Sequence, residues 1–304
     1  MVRMIDIECD LPTREVLAFR SSPPAPPFAG SGDTFRGREA EVVEGYGMAN
    51  YGKVFRGREG GLVADPVGLD DFADRLGALG VEKAVIGTSS VPSNTYAAEV
   101  VRARPDRFLA FACISPWDGM RGVWELERLV RDEGMVGLTA STFRERLPAD
   151  EARWYPLYAK CVELAIPVRI YCAMTYANDR PYDIGHPRHL DRVAIDFPEL
   201  SIIAALGGWP WVSELVPLMR RHPKLYCDTA AHRPRYLARP GSGWEMLLQY
   251  GNSLLQDKVM VGISALTVGL PYETLLAEVL ELPLKDAVME KWLYHNAARV
   301  LGIG

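Results

Sequence analysis

Glu8 and Asp10 stand two residues apart in the stretch MIDIECD, residues 4–10. The stretch is apolar enough to be a strand, and strand side chains alternate, so Asp6, Glu8 and Asp10 are expected on one face. Two carboxylates held this close resist ionising together. One then keeps its proton near neutral pH and acts as an acid while the other acts as a base. A third charged residue, Arg169, interrupts the apolar run PVRIYCA at 167–173, where alternation groups Arg169, Tyr171 and Ala173. If that face points inward, the guanidinium needs a carboxylate, because a buried unpaired charge is strongly destabilising. Asp6 or Glu8 is the expected partner. If the face points outward, Arg169 reaches water through the helix layer instead.

Other side chains are candidates by position. His232 follows the run LYCDTAA (225–231), and His186 and His189 lie in GHPRHLD after the fifth run. His222 and His295 read as structural, and Asp228 reads first as a cap for the loop that follows it. Thr139, Ser264, His189, Trp209 and Tyr176 are expected to line a substrate pocket, with Tyr171 or His232 orienting the substrate. Loop aromatics are dense (Tyr46, Tyr51, Trp117, Tyr176, Tyr182, Trp209), which suits an aromatic or conjugated substrate. Trp211 reads as core packing under the helix layer. Arg56, Arg58 and Arg233 can bind a carboxylate or phosphates, or simply be solvated. Cys9 and Cys172 are weak nucleophile candidates, since Cys9 should point away from Glu8 and Asp10.

Eight short apolar runs would carry these residues: 4–10, 83–89, 108–115, 134–141, 167–173, 201–208, 225–231 and 258–265. Amphipathic segments at 69–80, 154–166 and 272–282 have helical spacing. Near-continuous apolar strands alternating with helices imply a parallel sheet covered on its outer face. Eight such units predict an α/β fold, a closed (β/α)8 TIM barrel forming a single domain over 1–304. Residues 20–65, rich in Pro, Gly, Arg and Tyr, form an excursion after the first strand that reads as a lid, binding loop or oligomer contact. A shorter one covers 174–188. Loops after barrel strands build the active-site face, so both belong to the functional end.

The net charge of −5 carries no nucleic-acid footprint. There is no apolar run long enough to span a membrane and no signal-peptide core at the N-terminus. Scattered cysteines without a CxxC pair fit reduced thiols in a cytoplasmic protein.

The segments IDIECD, HPRHLDRVAIDFPELSIIAALGGWPWVSE (186–214), LYCDTAAHRPRYL (225–237) and HNAARVLGI (295–303) resemble the amidohydrolase-related (amidohydrolase 2) family of TIM-barrel hydrolases and decarboxylases. The resemblance implies the barrel, a homo-oligomer, and a divalent metal at the strand ends. At the positions where the family carries its ligands, this sequence has Glu8 and Asp10, Tyr171, Ala205 or Leu206, and Ser264. Carboxylates alone suit a hard ion better than zinc.

These readings lead to an enzyme without a cofactor. It is expected to perform acid–base chemistry such as cyclisation, dehydration, isomerisation or hydrolysis on a small aromatic carboxylate, amide or ester. Glu8 and Asp10 are acid and base, and Arg169 sets their charge. One alternative is a hydrolase or decarboxylase using one divalent metal at an atypical Glu/Asp site. Another is a non-catalytic ligand-binding or partner protein that keeps the pocket.

Overall fold

A computed structural model describes residues 3–21, 65–87 and 91–303. Most of the 20–65 excursion, with Tyr46, Tyr51, Arg56 and Arg58, lies outside the described residues. Eight parallel strands run in sequence order: β1 (Met4–Cys9), β2 (Val81–Gly87), β3 (Phe108–Cys113), β4 (Gly137–Ala140), β5 (Val168–Tyr171), β6 (Ile202–Ala205), β7 (Leu225–Asp228) and β8 (Val259–Met260). The expected TIM barrel is therefore present and nearly closed. The seam is joined by backbone hydrogen bonds from Ile7 N to the Val261 carbonyl (3.0 Å) and from Ser264 N to the Glu8 carbonyl (3.0 Å).

The helical spacing expected at 69–80, 154–166 and 272–282 forms helices Leu69–Ala78, Tyr155–Glu163 and Tyr272–Leu280. The first of these chains ends at Gly80, whose φ of +84° only glycine adopts without strain. The eighth run is mostly not strand. After Met260 the chain leaves the ladder, and Ser264 takes a left-handed φ of +46° at the start of the short helix Ala265–Val268. Among the described residues no helix is long and apolar enough to cross a membrane.

The alternation of the strands sorts the apolar side chains into two layers. Ala84, Ile86, Val168, Ile170, Ile202 and Ala204 pack outward beneath the helices. Ile5, Ile7, Val85, Phe111, Ile203 and Met260 point inward and meet Tyr294, Ala297 and Ala298 near the C-terminus. A third apolar group, including Phe143, Tyr171, Ala173, Ile184, Ala205 and Ala230, rims the opposite end, where the strands finish. The charged residues of interest lie between these inner and rim groups.

Candidate functional site

Arg169 points into the barrel. Its Nη1 lies 2.8 Å from Glu8 Oε2, and its Nε and Nη2 donate to the two oxygens of Asp228 at 2.7 and 3.2 Å. One guanidinium thus ties β1, β5 and β7 together across the barrel. The side chains of Arg169 and Asp228 are 5% and 0% exposed, and that of Glu8 is 12% exposed, so the cluster reaches solvent chiefly through Glu8. Asp228 also accepts from the backbone N–H of Leu206 and of Ala230, both at 3.0 Å. It caps the loop, as its position suggests, and is in addition the two-point partner of Arg169. The latter role was missed. The signal was the strand parity that sets Asp228 alongside inward-facing Met260.

The structure corrects the face assigned to Asp6. Between Asp6↔Ala84 and Cys9↔Ile86, β1 spends one residue more than β2, which makes a β-bulge. The bulge turns Ile7 and Glu8 both inward and leaves Asp6 facing the helix layer. There Asp6 accepts from Tyr272 Oη (2.9 Å), Ile263 N (3.0 Å) and Glu8 N (3.1 Å). Arg169 therefore pairs with Glu8 and not with Asp6. Space for the Glu8 side chain comes from two glycines missed in the sequence. A Cβ on Gly87 would lie 2.6 Å from the Glu8 carboxylate oxygens, and one on Gly262 would lie 3.1 Å from Glu8 Cβ and 2.7 Å from Ala230 Cβ.

The proton shared between Glu8 and Asp10 is a second correction. Asp10 directs Oδ1 to Arg20 Nη1 (2.6 Å) and Oδ2 to Thr267 N (2.9 Å). Both oxygens are taken by donors from the helices that follow β1 and β8, so Asp10 acts on Glu8 only through space. Glu8 nevertheless binds its proton more tightly than an ordinary carboxyl. Burial raises its pKa to about 7; Arg169 opposes this, while Asp10, Asp228 and Asp6 add to it. A single guanidinium among several carboxylates leaves negative charge in excess, and one proton is the cheapest remedy. Burial likewise raises Asp6 to about 6, against the hydrogen bonds it accepts.

Around this cluster the rim is aromatic. The Tyr171 ring packs on Phe143 at 4.3 Å, and its hydroxyl donates to the Met174 carbonyl at 2.9 Å, which ties it to its own loop. His232 lies half-buried between Trp209 (6.1 Å) and Trp244 (4.9 Å), and burial pushes its imidazole down to about 4, so it is neutral at physiological pH. Trp244, unmarked in the sequence, thus joins Trp209 in holding that ring. Trp209 fixes its own orientation by donating Nε1 to the Ser242 carbonyl at 3.1 Å. Thr139 is the register neighbour of Arg169 on β4; it is buried and its hydroxyl has no partner among the described residues. Ser264 is buried beside the Glu8 carbonyl, Oγ at 3.5 Å. Tyr176 is half-buried on the 174–188 loop, and burial raises its phenol pKa.

Other candidates are drawn elsewhere. His189 Nδ1 lies 2.8 Å from Asp150 Oδ1. Arg233 is held by Glu278, with Nε at 2.9 Å from Oε1, so it is not an open anion ligand. Trp211 is not core; it packs on His186 (4.6 Å) and Tyr182 (5.8 Å) of the 174–188 loop. Cys9 and Cys172 are buried, and burial raises both thiols above their ordinary range, which argues against nucleophilic thiolates.

The metal implied by the resemblance can be tested against these donors. Arg169 already bridges Glu8 and Asp228, and Arg20 holds Asp10. Tyr171 is tied to Met174, and Ala205 offers no side-chain donor. Among the described residues no group of three or more His, Cys, Asp or Glu is arranged to hold a metal ion. The described residues at the strand ends do not fit a divalent ion.

Comparison with known proteins adds kinship. Residues 57–303 match the family model described as Amidohydrolase (Amidohydro_2). A curated relative, gamma-resorcylate decarboxylase of Rhizobium radiobacter, is 33% identical over 102 residues, covering 31% of this chain and 31% of the relative. The match thus spans about a third of that relative's length. Among solved structures, an uncharacterized TIM-barrel protein from Bordetella bronchiseptica (Bb4693) superposes with a TM-score of 0.70 at 26% identity, over 99% of each chain. The 5-carboxyvanillate decarboxylase of Novosphingobium aromaticivorans, bound to manganese and 3-methoxy-4-hydroxy-5-nitrobenzoic acid, superposes with a TM-score of 0.64 at 15% identity. That superposition covers 99% of this chain and 97% of the decarboxylase.

Proposed function

Because the chain belongs to the amidohydrolase family, we propose that it is a lyase-type enzyme that removes carbon dioxide from a small hydroxylated aromatic carboxylate. The observation that carries this reading is Glu8, a carboxyl with a pKa raised to about 7, partly open to solvent beneath an aromatic and aliphatic rim. A general acid works best when its pKa lies near the working pH. The kinship to a gamma-resorcylate decarboxylase favours decarboxylation over cyclisation, isomerisation or hydrolysis.

The chemistry balances with the groups present. A ring hydroxyl makes the carbon bearing the carboxylate electron-rich, and protonated Glu8 gives that carbon its proton. The carbon–carbon bond to the carboxylate then breaks, its electron pair restores the aromatic ring, and carbon dioxide leaves. Glu8 regains a proton from water. Arg169 holds the Glu8 carboxylate in place as its charge changes, and its remaining N–H groups together with the Thr139 hydroxyl are available to the substrate carboxylate. Tyr171, Phe143 and Trp209 supply flat apolar walls.

The manganese-bound relative favours a second reading, a decarboxylase that requires a divalent ion. Both are tested by incubating the chain with 2,6-dihydroxybenzoate and related hydroxybenzoates, with Mn²⁺ and with EDTA, and following ring absorbance and carbon dioxide release. Under the first reading turnover survives EDTA, product formed in D₂O carries one deuterium on the ring, and Glu8→Gln lowers the rate by about 10²–10⁴-fold, the usual worth of a general acid. Turnover only with Mn²⁺ supports the second reading. Undiminished turnover by the Glu8→Gln variant removes Glu8 from its role. Binding of these acids without turnover under either condition returns the chain to the class of ligand-binding proteins.

A further inference from the structure

We infer that Arg169 is the built-in cation of this barrel: its guanidinium stands between Glu8 and Asp228 and keeps divalent metal ions out. The inference concerns the same site but does not depend on which reaction occurs there, since its test needs no substrate.

The geometry has three parts. Asp228 receives two N–H groups of one guanidinium, and Glu8 receives a third, so both carboxylates direct an oxygen at the same positive centre. A two-point guanidinium–carboxylate contact is stronger and more tightly oriented than a lysine contact would be, and it cannot deprotonate to make way for a metal. Second, the cluster is largely buried, open to solvent chiefly at Glu8. Asp228 is fully buried, its second bonds go to Leu206 N and Ala230 N, and Gly87 and Gly262 leave room for the Glu8 side chain. An ion entering would have to displace Arg169 into the apolar inner or rim layer, with no second carboxylate described there to receive it. Third, no histidine supplies a nitrogen to the cluster. His232 faces Trp209 and Trp244, and His189 faces Asp150.

The site therefore carries its positive charge in the covalent chain. Such a charge is always present, independent of metal supply and insensitive to chelators. It also fixes what the site accepts, because a protonated arginine recognises anions, carboxylates above all.

The test uses the full chain, produced with Mn²⁺ and Zn²⁺ in the medium and purified without chelator. Elemental analysis counts bound metal, and electron paramagnetic resonance with added MnCl₂ separates free from bound Mn²⁺. We expect wild-type protein with metal far below one ion per chain, a free-Mn²⁺ spectrum, and a melting temperature unmoved by MnCl₂ or EDTA. Arg169→Ala, which opens both carboxylates, is expected to bind Mn²⁺ about tenfold or more tightly than wild type and to melt higher when Mn²⁺ is added. Arg169→Lys keeps a cation and is expected to stay metal-free. If Arg169→Ala does not fold, the wild-type and Lys measurements decide. A stoichiometric Mn²⁺ or Zn²⁺ in wild-type protein, lost in Glu8→Gln/Asp228→Asn, overturns the inference. So does a folded Arg169→Ala protein whose Mn²⁺ affinity equals that of wild type. Metal-free protein without decarboxylase activity would sink the proposed reaction and leave this inference standing.

Discussion

At the scale of single residues, the site is governed by where protons rest. Glu8 has a folded pKa of about 7 against an ordinary 4.5, and Asp6 about 6 against 3.8, each raised by burial. Between those limits the folded chain keeps protons that the unfolded chain has released. Their contribution to stability is therefore full below the unfolded values and falls as pH rises through about 7. His232 acts in the opposite sense. Its folded pKa is about 4 against 6.5, so its contribution is full above 6.5 and falls as the solution is acidified towards 4. The two effects oppose one another over the mildly acidic range and flatten the wild-type profile. Glu8→Gln should gain stability relative to wild type as pH rises from 4.5 and level off above about 7. Urea unfolding across that range measures it, and a difference that does not change with pH would show that Glu8 titrates normally. Thr139 permits a second separation. Its hydroxyl is buried without a partner among the described residues, so Thr139→Val removes an unsatisfied polar atom at nearly constant shape. Stability should stay level or rise by roughly 1 kcal/mol. If the hydroxyl receives the substrate carboxylate, KM should rise several-fold with the melting temperature intact, whereas unchanged kinetics would place Thr139 outside the binding site.

At the scale of elements, the bulge in β1 decides which carboxylate is inside. Simple alternation sends Asp6 and Glu8 the same way; one inserted residue sends Asp6 to Tyr272 and Glu8 to Arg169. This marks the boundary of what was legible in the sequence. Strand runs and helix spacing follow from local periodicity, whereas alternation and the penalty on unpaired charge left Arg169 two possible faces, and the contacts with Glu8 and Asp228 decide for the inward one. The bulge does not, because it depends on how Ile7 and Ser264 bond across the seam, which is non-local. Nor could the pairing of Arg169 with Asp228, 59 residues away, be chosen over a pairing with Asp6 before strand parity was known. The tethering of Tyr171 to Met174, and of Asp10 to Arg20, likewise rests on loop conformation. The bulge needs room on its neighbour. Gly262→Ala would set a methyl 2.7 Å from Ala230 Cβ and 3.1 Å from Glu8 Cβ, with backbone behind both. Overpacking of this kind destabilises by about 1–3 kcal/mol, and here it should also displace Glu8 and lower activity. Denaturant unfolding together with the decarboxylation assay tests this; a variant unchanged in both would mean the seam can widen freely.

At the scale of the whole molecule, a charged layer is set between apolar layers, and a clamp joins the first and last loops above it. Asp10 accepts from Arg20 on helix Arg14–Ser21 and from Thr267 N in helix Ala265–Val268, and Arg20 Nη2 donates to Thr267 Oγ1 at 3.1 Å. These contacts bind the start of the chain to the end of the barrel at the point where sheet pairing is thinnest, since β8 is a two-residue strand. The clamp separates two roles that look alike in sequence. As an acid or base, Asp10 would lose its function as completely as Glu8 on amide substitution. As a clamp, its amide would turn an N–H₂ group towards one of two donors and leave a buried clash. We therefore expect Asp10→Asn to destabilise by roughly 1–3 kcal/mol, the range for a buried polar group deprived of its partner. The loss should be coupled to Arg20: in the Asp10→Asn/Arg20→Met cycle the double variant should lose less than the sum of the singles. The rate at saturating substrate should fall by no more than about tenfold, well short of the loss expected for Glu8→Gln. Equal rate losses in the two amide variants, with unfolding free energy unchanged for Asp10→Asn, would instead make Asp10 a partner in proton transfer and restore the carboxylate pair as the working unit of the site.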